Sequence, residues 1–200
     1  MQAMKLNVSE IFCSLQGEGA RAGTPNVFIR LQGCKTKHAC AAYGVECDTE
    51  FESGKEYDIN TLEARIKAFN CMNIIWTGGE PLDQLTNEIT AYFKAKGYYQ
   101  AIETSGLKPP VENLDFICVS PKVAEHIVKK NFSKVNELRY VRHKGQEIPQ
   151  PSVKADYYYI SPHSDGFTIN GENLKHCIEL VKNNPTWRMS VQQHKLWSVL

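Results

Sequence analysis

The stretch Asn26-Val-Phe-Ile-Arg-Leu-Gln32, running on through Gly33-Cys-Lys-Thr-Lys-His-Ala-Cys-Ala-Ala-Tyr-Gly-Val-Glu-Cys-Asp-Thr-Glu-Phe51, decides how the rest of the chain is read. An apolar run of strand length opens into a turn-rich loop that holds three of the chain's seven cysteines, Cys34, Cys40 and Cys47. Thiols leaving the carboxyl end of a strand stand where α/β folds place their chemistry. Three close thiolates hold zinc together with a histidine such as His38, or three irons of a four-iron cluster whose fourth iron stays open; spacing alone leaves both readings standing. Arg30 inside the strand is a second signal. A guanidinium among Val27, Phe28, Ile29 and Leu31 requires an anion or a carbonyl, and a structural carboxylate such as Glu18 would serve as well as a ligand.

Outward from that loop, Lys5 to Phe12 alternates as a strand and leads into Ser14-Leu-Gln-Gly-Glu-Gly19, where two glycines permit close backbone approach to a ligand. Asp58 to Phe69 reads as an amphipathic helix with a capping start and with Leu62, Ile66 and Phe69 on one face. Met72 to Thr77 is a short apolar strand ending in Gly78-Gly-Glu-Pro81. Its glycines expose backbone groups at the strand tip, the Glu80 carboxylate would receive an ammonium, and the proline prepares a helix from Asp83 to Lys96. The alternation continues through Tyr98 to Thr104 with Ser105-Gly106, Leu114 to Ser120 with Pro121-Lys122, and Asn136 to Val141. It ends with Asp156 to Ser161 and Pro162-His163, a helix from about Glu172 to Lys182, and Trp187 to Gln192.

Strands alternating with helices or long connections imply a mostly parallel sheet with right-handed crossovers. Because most strands end in polar or turn residues, the pattern favours an α/β fold with a partial, open TIM-like barrel of about six mostly parallel strands and its site at the carboxyl rim. Cys13, Cys71, Cys118 and Cys177 are expected to act as small buried hydrophobes, and the three tyrosines between Lys154 and His163 as strand core.

Composition narrows the function. At 200 residues and 42% hydrophobic content the chain suffices for one domain over 1–200. A net charge of +1, from 23 basic and 22 acidic residues, leaves no electrostatic footprint for nucleic acid or an anionic membrane. No apolar run approaches the roughly 20 residues of a membrane span, and the opening residues lack the apolar centre of a signal peptide. A cytoplasmic protein is expected, in which cysteines are thiols or metal ligands rather than a disulfide framework.

Taken together, Ser14-Leu-Gln-Gly-Glu-Gly19 with Gly23, the strand with Arg30, Gly33-Cys34, Cys47-Asp-Thr49, Thr77-Gly-Gly-Glu-Pro81, Glu103-Thr-Ser-Gly106, Ser120-Pro-Lys122 and Gln193-His-Lys195 resemble the radical S-adenosylmethionine superfamily. Within it they resemble the 7-carboxy-7-deazaguanine synthases of queuosine and 7-deazapurine biosynthesis. The motifs keep the family's order along nearly the full chain. The departure lies in the cluster loop, where five residues separate Cys34 from Cys40 and six separate Cys40 from Cys47. The longer loop costs little, since closure entropy grows by only roughly 0.6 kcal/mol per doubling of length.

The resemblance implies a 4Fe-4S cluster on Cys34, Cys40 and Cys47, with S-adenosylmethionine chelated at the open iron and cleaved to a 5′-deoxyadenosyl radical. It implies a pterin substrate, 6-carboxy-5,6,7,8-tetrahydropterin, which loses a hydrogen atom at C6, contracts its ring and expels ammonia. Glu46, Asp48, Gly79, Glu80, Thr104, Ser105, Ser120, Lys122, Ser161, His163 and Asp165 would line the cofactor. Leu15, Gln16, Gly17, Arg30, Thr77, His194 and the terminal Leu200 would meet the pterin, with Glu18, Arg30 and His194 acting in catalysis. Thr49 would offer a hydroxyl to Mg2+. A flavodoxin-type or other electron donor and a homodimer are also implied. A glycyl-radical activase and a zinc-binding module on Cys34, His38, Cys40 and Cys47 remain as alternatives.

Overall fold

The computed structural model describes residues 4–35, 52–166 and 168–199. Among these the strands are β1 (Lys5–Leu15), β2 (Pro25–Leu31), β3 (Lys55–Asp58), β4 (Asn73–Gly78), β5 (Tyr99–Thr104), β6 (Phe116–Val119), β7 (Lys134–Arg142), β8 (Lys154–Pro162), β9 (Ser164–Asp165), β10 (Thr168–Ile169) and β11 (Arg188–Met189). The helices are α1 (Ile59–Lys67), α2 (Asn87–Ala95), α3 (Glu125–Asn131), α4 (Gly171–Lys182) and α5 (Gln193–Trp197). Nine strands form one open mixed sheet in the order β11-β8-β7-β6-β5-β4-β2-β1-β3, and β9 with β10 makes a separate small hairpin. The described part of the sheet thus has more strands than the six the sequence leads one to expect. Seven are parallel, from β2 to β11, and β1 runs antiparallel to both β2 and β3 at one edge.

Side chains alternate across each strand, so the sheet has two distinct faces. One carries Val27, Ile29, Leu31, Ile74, Trp76, Ile102, Val119, Leu138 and Ile160, all fully buried, and receives Leu62 and Ile66 of α1, Ile89 and Phe93 of α2, Val128 of α3 and Cys177 of α4. Removing a side chain such as Leu62 from this layer would cost about 2–5 kcal/mol. The other face is mainly polar at the carboxyl ends of the strands, with a small apolar patch of Phe28, Ile75 and Ala101 lower down.

Local chemistry sets most helix starts. The Asp58 carboxylate accepts the amides of Asn60 and Thr61 at 3.1 Å each to cap α1, and Asn170 does the same for Glu172 and Asn173 at 3.0 Å to cap α4. The expected helix from Asp83 begins later: Pro81–Asp83 is a 3-10 turn, and α2 starts after the Thr86 cap. Phe69, expected on the buried face of α1, is 38% exposed because the helix has ended and Asn70 turns the chain with a φ of 51°. The expected strand over Trp187 to Gln192 shrinks to two residues, while α3, α5, β3 and the β9–β10 hairpin were not anticipated. Of the four outlying cysteines, Cys118 and Cys177 are buried, but Cys71 is half-buried and Cys13 is exposed at the end of β1.

Candidate active site

Strand register lays the candidate residues out in one row on the polar face. Arg30 of β2 stands beside Thr77 of β4. Glu103 of β5 stands beside Cys118 of β6, which pairs with Glu137 of β7, and two residues on Arg139 pairs with Tyr159 of β8. Side-chain bonds close the row: Thr77 Oγ1 donates to Glu103 Oε2 (3.3 Å), and Arg139 Nη2 donates to Glu103 Oε1 (2.6 Å) and to Cys118 Sγ (3.3 Å). Arg30 does not pair with Glu18. Its Nε lies 3.2 Å from Glu10 Oε2, and its guanidinium sits over the Phe12 ring.

Residues 16–24 fold back over this face as a turn. The Gln16 amide donates to Thr24 O (2.9 Å), the Gly23 amide donates to Gln16 O (2.8 Å), and Gln16 Nε2 reaches Glu103 Oε1 (3.1 Å). Backbone readout of a ligand was expected here, but the Gln16 amide and carbonyl are spent on the turn itself. The two glycines likewise admit the protein's own groups. A Cβ on Gly17 would collide with the His194 ring, and one on Gly19, whose φ is +66°, would collide with the Glu137 carboxylate. Gln193 N donates to Gly17 O (2.9 Å), so the head of α5 and His194 are docked on the Leu15-Gln16-Gly17 segment. Leu15 is 37% exposed. Glu18 meets Arg139 Nη1 through Oε2 at 3.0 Å.

The second half of the site is the Gly78-Gly79-Glu80 tip. Gly79 N donates to Leu31 O and Glu80 N to Gly33 O, both at 3.0 Å, and a Cβ on Gly79 would overlap Gly33 O and crowd Cys34 Cβ. The tip is therefore packed on the backbone that leads into Cys34. Glu80 has a different role from the one expected of it. Its carboxylate is fully buried and accepts from Thr104 Oγ1 (2.7 Å), the Ser105 amide (2.9 Å), Ser105 Oγ and the Leu82 amide (3.2 Å). Thr104 and Ser105 thereby join the β4 and β5 tips through Glu80. Beyond them, Lys122 Nζ donates to Ser120 Oγ (3.1 Å) and Lys122 N to Ser105 O (3.3 Å). On β8, Ser161 Oγ is buried with no hydrogen-bond partner among the described residues. His163 stacks on His143 with ring centroids 4.1 Å apart, and Asp165 is the second residue of β9 in the small hairpin that follows.

Charge on the polar face follows from burial and from Arg139. Burial raises the Glu103 carboxyl, but the Arg139 guanidinium together with Gln16 and Thr77 outweighs it and holds the group below its usual range. Burial lifts Glu137 above the usual carboxylate range and raises the Cys118 thiol well above its own, keeping it neutral. Sequence reading overlooked Glu103, Glu137 and Arg139 as site residues. The signal was present, since Arg139 lies among Leu138, Tyr140 and Val141 as Arg30 lies among its own apolar neighbours.

Cys40, Glu46, Cys47, Asp48, Thr49 and Leu200 lie outside the described residues, as does His38. The described neighbourhood nevertheless fits a cluster-bound nucleoside sulfonium. The Gly79 position next to Cys34 has no room for a side chain, and on β8 the buried Ser161 hydroxyl has no hydrogen-bond partner among the described residues.

Comparison with known proteins bears on all of this. The chain is 36% identical to the 7-carboxy-7-deazaguanine synthase of Haemophilus influenzae, with 95% of this chain and 92% of the relative covered. It is 34% identical to the enzyme of that name from Bacteroides thetaiotaomicron (96% and 98% covered) and 36% identical to that from Burkholderia multivorans (98% and 100% covered). No family model matches the chain. Among solved structures it is similar in fold to QueE from Escherichia coli, with a TM-score of 0.68 at 23% identity over 96% of this chain and 95% of that one.

Proposed function

The chain belongs to the 7-carboxy-7-deazaguanine synthase family, and we propose that it converts 6-carboxy-5,6,7,8-tetrahydropterin to 7-carboxy-7-deazaguanine with release of ammonia. The observation that carries this reading is the packing of the Gly78-Gly79-Glu80 tip on the backbone entering Cys34, next to a polar row that begins at Arg30. The three relatives quoted above are named as synthases, which favours neither the glycyl-radical activase nor the zinc module. Helices on one face of an open sheet support the partial-barrel reading, with residues 1–200 as one domain.

When bound, the 4Fe-4S cluster and S-adenosylmethionine supply the one-electron chemistry that removes hydrogen from the pterin. The chain's own task is to hold and aim. Cys34, Cys40 and Cys47 would ligate the cluster. Glu80 keeps the tip rigid so that the Gly78 and Gly79 carbonyls can take the methionine ammonium, while Thr104, Ser105, Ser120, Lys122, Ser161, His163 and Asp165, with Glu46 and Asp48 from the cluster loop, surround the nucleoside. Arg30 would grip the substrate carboxylate as a fork, Thr77 and the Leu15-Gln16-Gly17 turn would flank the ring, and His194 with the Leu200 carboxylate would close over it. Glu18, ion-paired to Arg139 on the same face, would exchange a proton with the ring.

Thr49 would give Mg2+ one hard oxygen, and the ion would supply positive charge to the carboxylated substrate. Chelation together with Thr49→Ala should slow turnover; unchanged rates in both would remove the metal from the scheme. A flavodoxin-type donor, a homodimer and a cytoplasmic location complete the proposal. Among the described residues no helix is long and apolar enough to cross a membrane. The deciding experiment is anaerobic turnover of reconstituted protein with the carboxytetrahydropterin, S-adenosylmethionine and a reductant. Brown, iron-containing protein and the deazaguanine product are expected; colourless protein without iron would refute the reading.

A further inference from the structure

Arg139 is the most heavily bonded side chain of the polar face. From β7 its guanidinium reaches Glu18 Oε2 (3.0 Å), Glu103 Oε1 (2.6 Å), Cys118 Sγ (3.3 Å) and, from Nε, Glu137 Oε1 (3.6 Å), with 6% of its side chain exposed. These partners come from the 16–24 turn and from three different strands. Glu18 is about a fifth exposed and Glu103 a quarter exposed along a cavity that both line with Gln16. Arg21 lines the same cavity; its guanidinium bonds Asn26 and lies over the Tyr99 and Phe116 rings, and it reaches Glu103 through charge alone, with no hydrogen bond to either carboxylate. The carboxylates do not gather as a metal-ligand set among the described residues. What remains is a pair of carboxylates on one guanidinium, Glu103 hydrogen-bonded to Nη2 and Glu18 ion-paired to Nη1 without a hydrogen bond.

We infer that Arg139 is a positioning residue that holds Glu18 and Glu103 as paired acceptors for the N–H edge of the substrate's aminopyrimidine ring, opposite Arg30. The inference rests on the pterin reading above. The dimensions support it: β2 and β5 are two inter-strand steps apart, which puts Glu103 about 10 Å from Arg30. A bicyclic ring with a carboxylate at one end and two N–H donors at the other bridges such a span. A lysine keeps the charge at position 139 but cannot place two carboxylates at once, because it lacks the planar five-donor fork.

The test is calorimetric binding of 6-carboxypterin to the reconstituted holoprotein. Arg139→Lys should weaken binding at least tenfold while iron content, S-adenosylmethionine affinity and thermal midpoint stay near wild type. Loss of all four together would mark a purely structural role and overturn the inference. Glu18→Gln and Glu103→Gln, which leave Arg139 in place, should each weaken pterin binding severalfold, and the Arg139→Lys, Glu103→Gln double variant should lose no more than the worse single one. These carboxamide variants decide the matter if Arg139→Lys fails to fold: pterin affinity within twofold of wild type in both of them overturns it. Failure of the wild-type protein to bind 6-carboxypterin would instead overturn the proposed function.

Discussion

Gly17 is a glycine because the His194 ring fills the space a side chain would need. Gly17→Ala should push the head of α5 off the turn and lower kcat/KM about tenfold, or roughly 1.4 kcal/mol of transition-state stabilisation. The thermal midpoint should barely move, since α5 is a short surface helix with no buried residue; a large midpoint drop with normal kinetics would contradict this. Arg30 raises a different question at the same scale. Its bond to Glu10 is a half-exposed ion pair of small value, so stability is not what the residue mainly provides. Arg30→Lys should leave folding intact and raise KM for the carboxylated pterin about tenfold, because the bidentate match is lost. Steady-state kinetics that show lower kcat at unchanged KM would count against the assignment.

Between elements, polar side chains do much of the joining. Glu80 ties the tip of β4 to that of β5, and Glu63 ties α1 to α2. Glu63 of α1 accepts from Tyr92 Oη (2.7 Å) and pairs with Lys67 and Lys96, both at 2.9 Å. Burial pushes its carboxyl up, but these hydrogen bonds win and bring it down to about 2. A carboxyl depressed on folding stabilises the native state above its unfolded value near 4.5, and that contribution fades as pH falls from there toward 2. Glu63→Gln should therefore lower the midpoint of thermal unfolding at pH 7, with the difference from wild type shrinking as pH falls through that window. A constant difference at all pH values would show that the carboxylate charge is not what holds the two helices. At roughly 2–4 °C per kcal/mol for a chain of this size, calorimetry resolves it.

At the scale of the whole molecule, both ends of the chain converge on one face of the sheet: the 16–24 turn from the N-terminal part and α5 from the C-terminal part. A C-terminal extension past Leu200 should raise KM for the pterin with little effect on S-adenosylmethionine affinity, and kinetics indifferent to the tag would remove the terminus from the site. Order of elements and the parallel sheet were legible in the sequence, because apolar runs, caps and glycine-rich turns are local signals read over a few residues. Cys34, the Gly-Gly-Glu tip and Arg30 were legible for the same reason, each standing at the end of a strand or within one. Glu103, Glu137 and Arg139 were not, since a buried carboxylate means nothing until its counter-charge is known, and here that charge comes from a strand two places away in the sheet. The reassignment of Glu80 from ligand to clamp has the same cause. Sequence determined which chemical groups the chain owns and which strand tip carries each; only the tertiary structure decided which of them are spent on one another, because hydrogen-bond partners are chosen by register across the sheet and not by distance along the chain.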